Sequence, residues 1–190
     1  NKMVEIKEVL TKKQRKQFIQ FQNDLYKDVP QYIPTLMVDE MEQLDEKKNP
    51  AFKTCRMRMF LAYREGKIVG RIGGIIKELA YKKYGWKRIA ITRFDFIDDE
   101  EVVDALVGTI EEWARQENLE ALYGPVGFHD MDKEGMLVEG FDKMGMFITY
   151  YNYPYYPKHM ERLGFVKEKD WVESRLYTQF KDEEKVKKLV

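Results

Sequence analysis

The chain reads as an α/β (α+β) protein built on a mixed sheet, and three observations carry that reading. Residues 56–79 alternate as two strands around Arg64, Glu65 and Gly66. This predicts an antiparallel hairpin, because glycine supplies the positive φ that a tight turn needs. Residues 88–97, an acidic helix start and residues 121–126 follow as strand, helix and strand, and such a crossover joins parallel strands. A length of 190 residues with 44% hydrophobic residues suits one domain that buries roughly 70% of the surface its unfolded chain exposes.

Residues 4–10 alternate apolar and polar, with Val4 and Ile6 on one face, and Thr11 follows as a helix cap. Phe18, Phe21, Leu25 and Tyr26 then recur at helical spacing until Pro30 and Pro34 interrupt them. Met37, Met41 and Leu44 fit a second short helix, and Lys48, Asn49 and Pro50 break it, since the residue before proline is pushed away from helical angles. After the hairpin and the strand at 88–97, Asp98, Asp99, Glu100 and Glu101 open a helix whose apolar face holds Val102, Val103, Leu106, Ile110, Trp113 and Ala114. Acids in a first turn suit the positive end of the helix dipole. The strand at 121–126 gives way to an irregular stretch rich in glycine and acids, then to an aromatic run at 149–156. Pro157 starts a short helix that stops at Gly164, and residues 171–178 alternate as a last strand. Residues 181–190 begin a further amphipathic helix. A single domain over residues 1–180 is therefore expected, with a second domain beyond its C-terminal end.

Composition removes several function classes. The 33 Lys and Arg balance 33 Asp and Glu, so no general attraction to nucleic acid or to an acidic membrane is expected, and neither is counted as a partner. Cys55 is the single cysteine, with His129 and His159 the only histidines, which argues against disulfides and a structural zinc. No apolar run approaches the roughly 18 residues of a membrane span, and the N-terminal residues lack the apolar stretch of a signal peptide. A cytoplasmic location is expected.

The element order, the hairpin AYREGKIVGRIGG and the late helix YPKHMERLGF with its terminal Gly-Phe resemble the GNAT acyl-CoA N-acyltransferase superfamily. NPAFKTC, RFDFIDD, GPVGFHDMDKEGMLVEGFD and YNYPYYPKHMERLGF together look like an uncharacterised bacterial branch with longer members. The resemblance implies a mixed central sheet with helices on both faces. It also implies acetyl-CoA or another acyl-CoA as cosubstrate, lying in a gap between the strands at 88–97 and 121–126, and a small-molecule or peptide amine as acceptor. Phe94, Asp95, Phe96 and Ile97 would then offer backbone groups to the pantetheine arm. The amine attacks the thioester, so the protein must take a proton from it, polarise the carbonyl and protonate the leaving thiolate.

Two positions depart from the superfamily's pattern. Its pyrophosphate cradle is an Arg or Gln with spaced glycines before the crossover helix, and here Asp98, Asp99, Glu100 and Glu101 stand there without a glycine. Two like charges about 4 Å apart repel by roughly 4 kcal/mol at an effective dielectric of 20, and solvent reduces that. The tyrosine that often supplies the thiolate's proton, four residues before the late glycine, is Met160. Tyr156, nearest the late helix, is the candidate in its place, and Glu134 is the candidate base. His129, Asp130, Asp132, Tyr151, Asn152 and Tyr153 are candidates for holding the acceptor, because they follow the fifth strand or line the aromatic run. Each has a plainer reading, as turn hydrogen bonding for the acids and as strand packing for the tyrosines. The string from Asp130 to Gly135 also resembles the opening of a calcium loop, but its twelfth position is Phe141 rather than glutamate, and no metal is expected. A non-catalytic binding module that has lost the pyrophosphate loop is the alternative to an enzyme.

Overall fold

A computed structural model describes residues 3–124, 154–168 and 171–175. Among the described residues the sheet has seven strands in the order β1-β2-β3-β4-β5-β7-β6: β1 Glu5–Glu8, β2 Cys55–Arg64, β3 Lys67–Lys77, β4 Arg88–Phe96, β5 Ala121–Gly124, β6 Val166–Glu168 and β7 Trp171–Arg175. It is mixed: β4 and β5 run parallel, and the other neighbours are antiparallel. In the β2–β3 turn Glu65 and Gly66 both have positive φ, 55° and 76°, as the hairpin reading requires.

Among the described residues five helices accompany the sheet: α1 Lys12–Leu25, α2 Met37–Gln43, α3 Glu78–Tyr84, α4 Glu100–Gln116 and α5 Tyr155–Arg162. Thr11 caps α1 in a reciprocal box with Gln14, each side chain satisfying the other residue's backbone N–H. Asn49 caps a single 3-10 turn at Pro50–Lys53. Two elements go beyond the sequence expectation. Strand β6 is extra, and α3 occupies residues that lack any apolar periodicity, because none of its side chains is buried.

Alternation along the strands sends side chains to two cores. Phe60, Ile76, Ile89 and Ile91 pack with α4 residues such as Leu106 and Ile110 and with Tyr156 and Met160 of α5. Leu61, Ile75 and Ala90 pack with Phe18 and Ile19 of α1 and with Leu44. Helices thus cover both faces, as the resemblance implies. Gly70 lets α4 approach closely, since a Cβ there would sit 2.7 Å from Leu106 Cδ1. Among the described residues no helix is long and apolar enough to cross a membrane.

Candidate active site

Strand β4 is the spine of the site. Its first residues pair with β5 as Arg88↔Ala121, Ile89↔Leu122 and Ala90↔Tyr123, the last such pair among the described residues. On the other side β4 stays paired with β3 through Gly70↔Phe96, and the register shifts between Arg71 and Gly73 because β4 carries an extra residue there. Arg93 lies at that bulge with φ 46°, a conformation costly for a side chain with a Cβ. The surroundings compensate. Arg93 and Glu40 are each 4% exposed, and the guanidinium donates to Glu40 Oε1 and Oε2 at 3.1 and 3.4 Å and to Thr92 Oγ1 at 2.9 Å. Helix α2 therefore anchors the bulge.

A second buried pair holds the end of the strand. Arg71 donates to Asp95 Oδ2 at 2.9 Å and to the Phe18 carbonyl at 3.0 Å, and its guanidinium lies over the Phe18 ring. Asp95 Oδ1 accepts from the hydroxyls of Tyr26 and Tyr156 at 3.3 and 3.2 Å. Burial pushes both phenols well above the ordinary tyrosine pKa, and the Asp95 charge adds to the effect. Both remain protonated at neutral pH. The Phe96 N–H donates to Tyr156 Oη at 3.0 Å, and the Phe96 carbonyl accepts from Tyr155 Oη at 2.6 Å. Two phenols of α5 thus take up both backbone polar groups of Phe96.

Each acid of the turn meets a group of its own chain, although the side chains of Asp98, Glu100 and Glu101 stay more than half exposed. Asp99 caps α4, accepting from the N–H groups of Glu101 and Val102 through Oδ1 and from Arg64 through Oδ2 at 2.9 Å. Asp98 Oδ1 lies 2.7 Å from His159 Nε2. Arg162 reaches Asp104 at 3.0 Å and Glu100 at 3.6 Å, and Glu101 accepts from the Val4 N–H at 3.1 Å. The carboxylates do what a phosphate does at a helix N-terminus and also fasten α5 and β1 to it.

Of the predicted cofactor residues, Phe94 and Phe96 put their rings in the core, 4.7 Å apart between centroids, Asp95 is ion-paired, and Ile97 donates its N–H to the Val69 carbonyl. Tyr156 is 1% exposed and stacks on Phe96 at 4.1 Å, with its hydroxyl shared between Asp95 and Phe96. Met160 is core. Glu134, His129, Asp130, Asp132, Tyr151, Asn152 and Tyr153 lie outside the described residues. Cys55 is buried, and burial pushes its thiol up, as befits an inert cysteine. Arg71, Arg93 and Glu40 escape the sequence reading, which took Tyr26 only as helix packing, although Arg71 and Asp95 had a signal: each is a charge flanked by uncharged residues in two strands that pair.

No protein-family model matches the chain. Protein YghO of Escherichia coli (strain K12) is 33% identical over 162 residues, covering 85% of this chain and 41% of its own. Bacterial ceramide synthase of Caulobacter vibrioides is 29% identical over 165 residues, covering 85% of this chain and 42% of its own. The chain thus spans about two-fifths of the length of these curated relatives, which are longer bacterial proteins, as the resemblance implies. Among solved structures, a tandem GNAT protein from the clavulanic acid biosynthesis pathway superposes with a TM-score of 0.61 at 13% identity, covering 87% of this chain and 45% of its own. A GNAT-family acetyltransferase from Staphylococcus aureus Mu50 gives 0.56 at 13% identity, over 91% and 99%. An aminoglycoside 6'-N-acetyltransferase complexed with coenzyme A gives 0.51 at 15% identity, over 90% and 97%. The sheet order, the bulged strand and these superpositions agree: the chain has the fold of the GNAT acetyltransferases.

Proposed function

We propose that this chain is the acyl-transferring part of an N-acyltransferase, moving an acyl group from a coenzyme A thioester to an amine. The observation that carries the reading is β4 itself: among the described residues it pairs with β5 only as far as Ala90↔Tyr123 and continues, bulged at Arg93, to Phe96. Apart from Phe96, whose backbone groups are held by Tyr155 and Tyr156, the β4 edge beyond Ala90 would offer backbone donors and acceptors to an amide-bearing pantetheine arm. The name of the Caulobacter relative supports an amine on a long-chain lipid as acceptor, because forming a ceramide is itself N-acylation.

Roles follow from the surroundings. Tyr155 and Tyr156 stand where the arm would meet the end of β4. With a pKa pushed well above 10, Tyr156 holds its proton too firmly to give it outright to a thiolate, whose ordinary pKa is about 8.5. Its one hydroxyl proton goes to Asp95, so it would position the end of β4 and would reach the leaving sulfur only by exchanging that acceptor for it. Glu134 is the proposed base, with His129, Asp130, Asp132, Tyr151, Asn152 and Tyr153 holding the acceptor.

Isothermal calorimetry of the full-length protein with acetyl-CoA and long-chain acyl-CoA tests the reading, with thiol release in the presence of amines as the second measurement. Binding and amine-dependent release are expected. No heat and no release at millimolar thioester would overturn it. One observation favours a second reading, a non-catalytic GNAT-like module: Asp99 already occupies two of the first N–H groups of α4. Binding of the full-length protein to an acyl-CoA would end that alternative.

A further inference from the structure

The connection from β3 to β4 carries a surface that the acyltransferase reading does not use. Seven consecutive residues, 81–87, are all exposed, and they spell Tyr-Lys-Lys-Tyr-Gly-Trp-Lys. Leu79, Tyr84 and Trp86 are 59%, 56% and 47% exposed, although large apolar groups are normally covered. The aromatic rings brace one another rather than the core: Tyr84 stacks on Trp86 at 4.8 Å between centroids. Arg88 lies between Trp86 and Tyr123, 4.5 and 5.0 Å from the ring centroids. Gly85, at φ 66°, ends α3 and turns the chain so that Tyr84 and Trp86 can meet.

Charge around these rings is one-sided. Lys77, Lys82, Lys83, Lys87 and Arg88 are the cations of residues 77–88, and Glu78 is the single acid. The Glu78 carboxylate is engaged by Arg56 at 2.7 Å, and the facing Glu120 reaches Lys87 only at 3.9 Å. A net positive, ring-studded protrusion is therefore left in the solvent on a chain whose total charge is zero.

We propose that residues 77–88 dock this protein on the surface of an anionic lipid bilayer. Tyr and Trp favour the headgroup level, where the ring is buried and its polar edge stays wet. Lysines beside them are drawn to anionic headgroups. A short interfacial element of this kind lies on the membrane and does not span it. Charge complementarity selects this occupant over a second copy of the chain, whose identical cations would face these ones. The zero net charge predicted no membrane partner only because it sums over the whole sequence. The surface also adjoins β5: Tyr123, which stacks on Arg88, belongs to the last β4–β5 pair among the described residues. A bilayer held there would lie beside that pair, whether or not acyl transfer takes place.

Sedimentation of the full-length protein with vesicles of phosphatidylcholine and phosphatidylglycerol, beside vesicles of phosphatidylcholine alone, tests the proposal. Binding to the anionic vesicles alone is expected, and it should fall with salt. Replacing Lys82→Gln, Lys83→Gln and Lys87→Gln together should lower the partition about a hundredfold, at about fivefold for each cation. Tyr84→Ser with Trp86→Ser should weaken binding without moving the thermal midpoint. Rising salt on the unaltered protein reads the same charge dependence without any substitution. Equal sedimentation with both vesicle types, or a triple variant that binds as well as the wild type, would overturn the proposal. So would self-association of the wild type that the triple variant loses, because the surface would then belong to a second copy.

Discussion

The two ends of β4 are both crowded with charge, and they use it in opposite ways. At the C-terminal end every acid from Asp98 to Glu101 meets a group of its own chain: His159, the α4 backbone with Arg64, Arg162, and the Val4 N–H. At the N-terminal end, Lys82, Lys83 and Lys87 stand exposed among aromatic rings. The first set is spent on holding α5 and β1 in place, and the second is available to something outside. Charge that looks functional in a sequence is informative only once its partners are known, and four acids at a phosphate position turn out to be fasteners.

Substitutions that remove partners should grade this contrast. The largest effect is expected just inside the acidic end. Asp95→Ala leaves Arg71, whose side chain is 0% exposed, buried without its counter-charge. It should cost about 3–5 kcal/mol in urea unfolding; a loss well under 1 kcal/mol would mean that water reaches the pair. Next comes Asp99→Ala, which removes the cap of α4 and the Arg64 contact and should cost about 1–2 kcal/mol by the same measurement.

Arg56 provides a smaller, pH-dependent step. Its guanidinium holds the Glu117 carboxyl below the ordinary value of 4.5, and the pair is partly exposed. Its contribution should be present above that value and fade as pH falls through the lowered one. The stability gap between wild type and Arg56→Gln should be under about 1 kcal/mol at neutral pH and should close in acid, followed as unfolding midpoints against pH. The smallest effect belongs to the other end of β4. Lys82→Gln, Lys83→Gln and Lys87→Gln together should leave stability within about 0.5 kcal/mol of wild type while changing what the surface attracts. A large destabilisation there would show that those cations, too, are structural.

Much of the frame was legible because its signals are local. Gly66 marked the β2–β3 hairpin, Thr11 marked the start of α1, and the apolar face from Val102 to Ala114 marked α4. What escaped depends on distant residues. Arg93 carries no local sign of positive φ, since the bulge is held by Glu40, 53 positions away. Helix α3 has no buried face to create a period. Tyr156 could be singled out as a residue of interest, but not as the partner of Phe96 and Asp95, because that pairing joins residues about 60 apart. The acids at 98–101 were correctly placed at the start of a helix, and their partners His159 and Arg162 lie on an element whose docking no local pattern reveals.

The tyrosine pair on Phe96 also bears on the order in which the chain can assemble. Strands β2, β3 and β4 are consecutive and antiparallel, so that meander can form from nearby contacts while the rest is still being synthesised. The end of β4 and the first turn of α4 must wait for Tyr155, Tyr156, His159 and Arg162. Until they arrive, the backbone of Phe96 and the carboxylate of Asp98 lack these side-chain partners and face water.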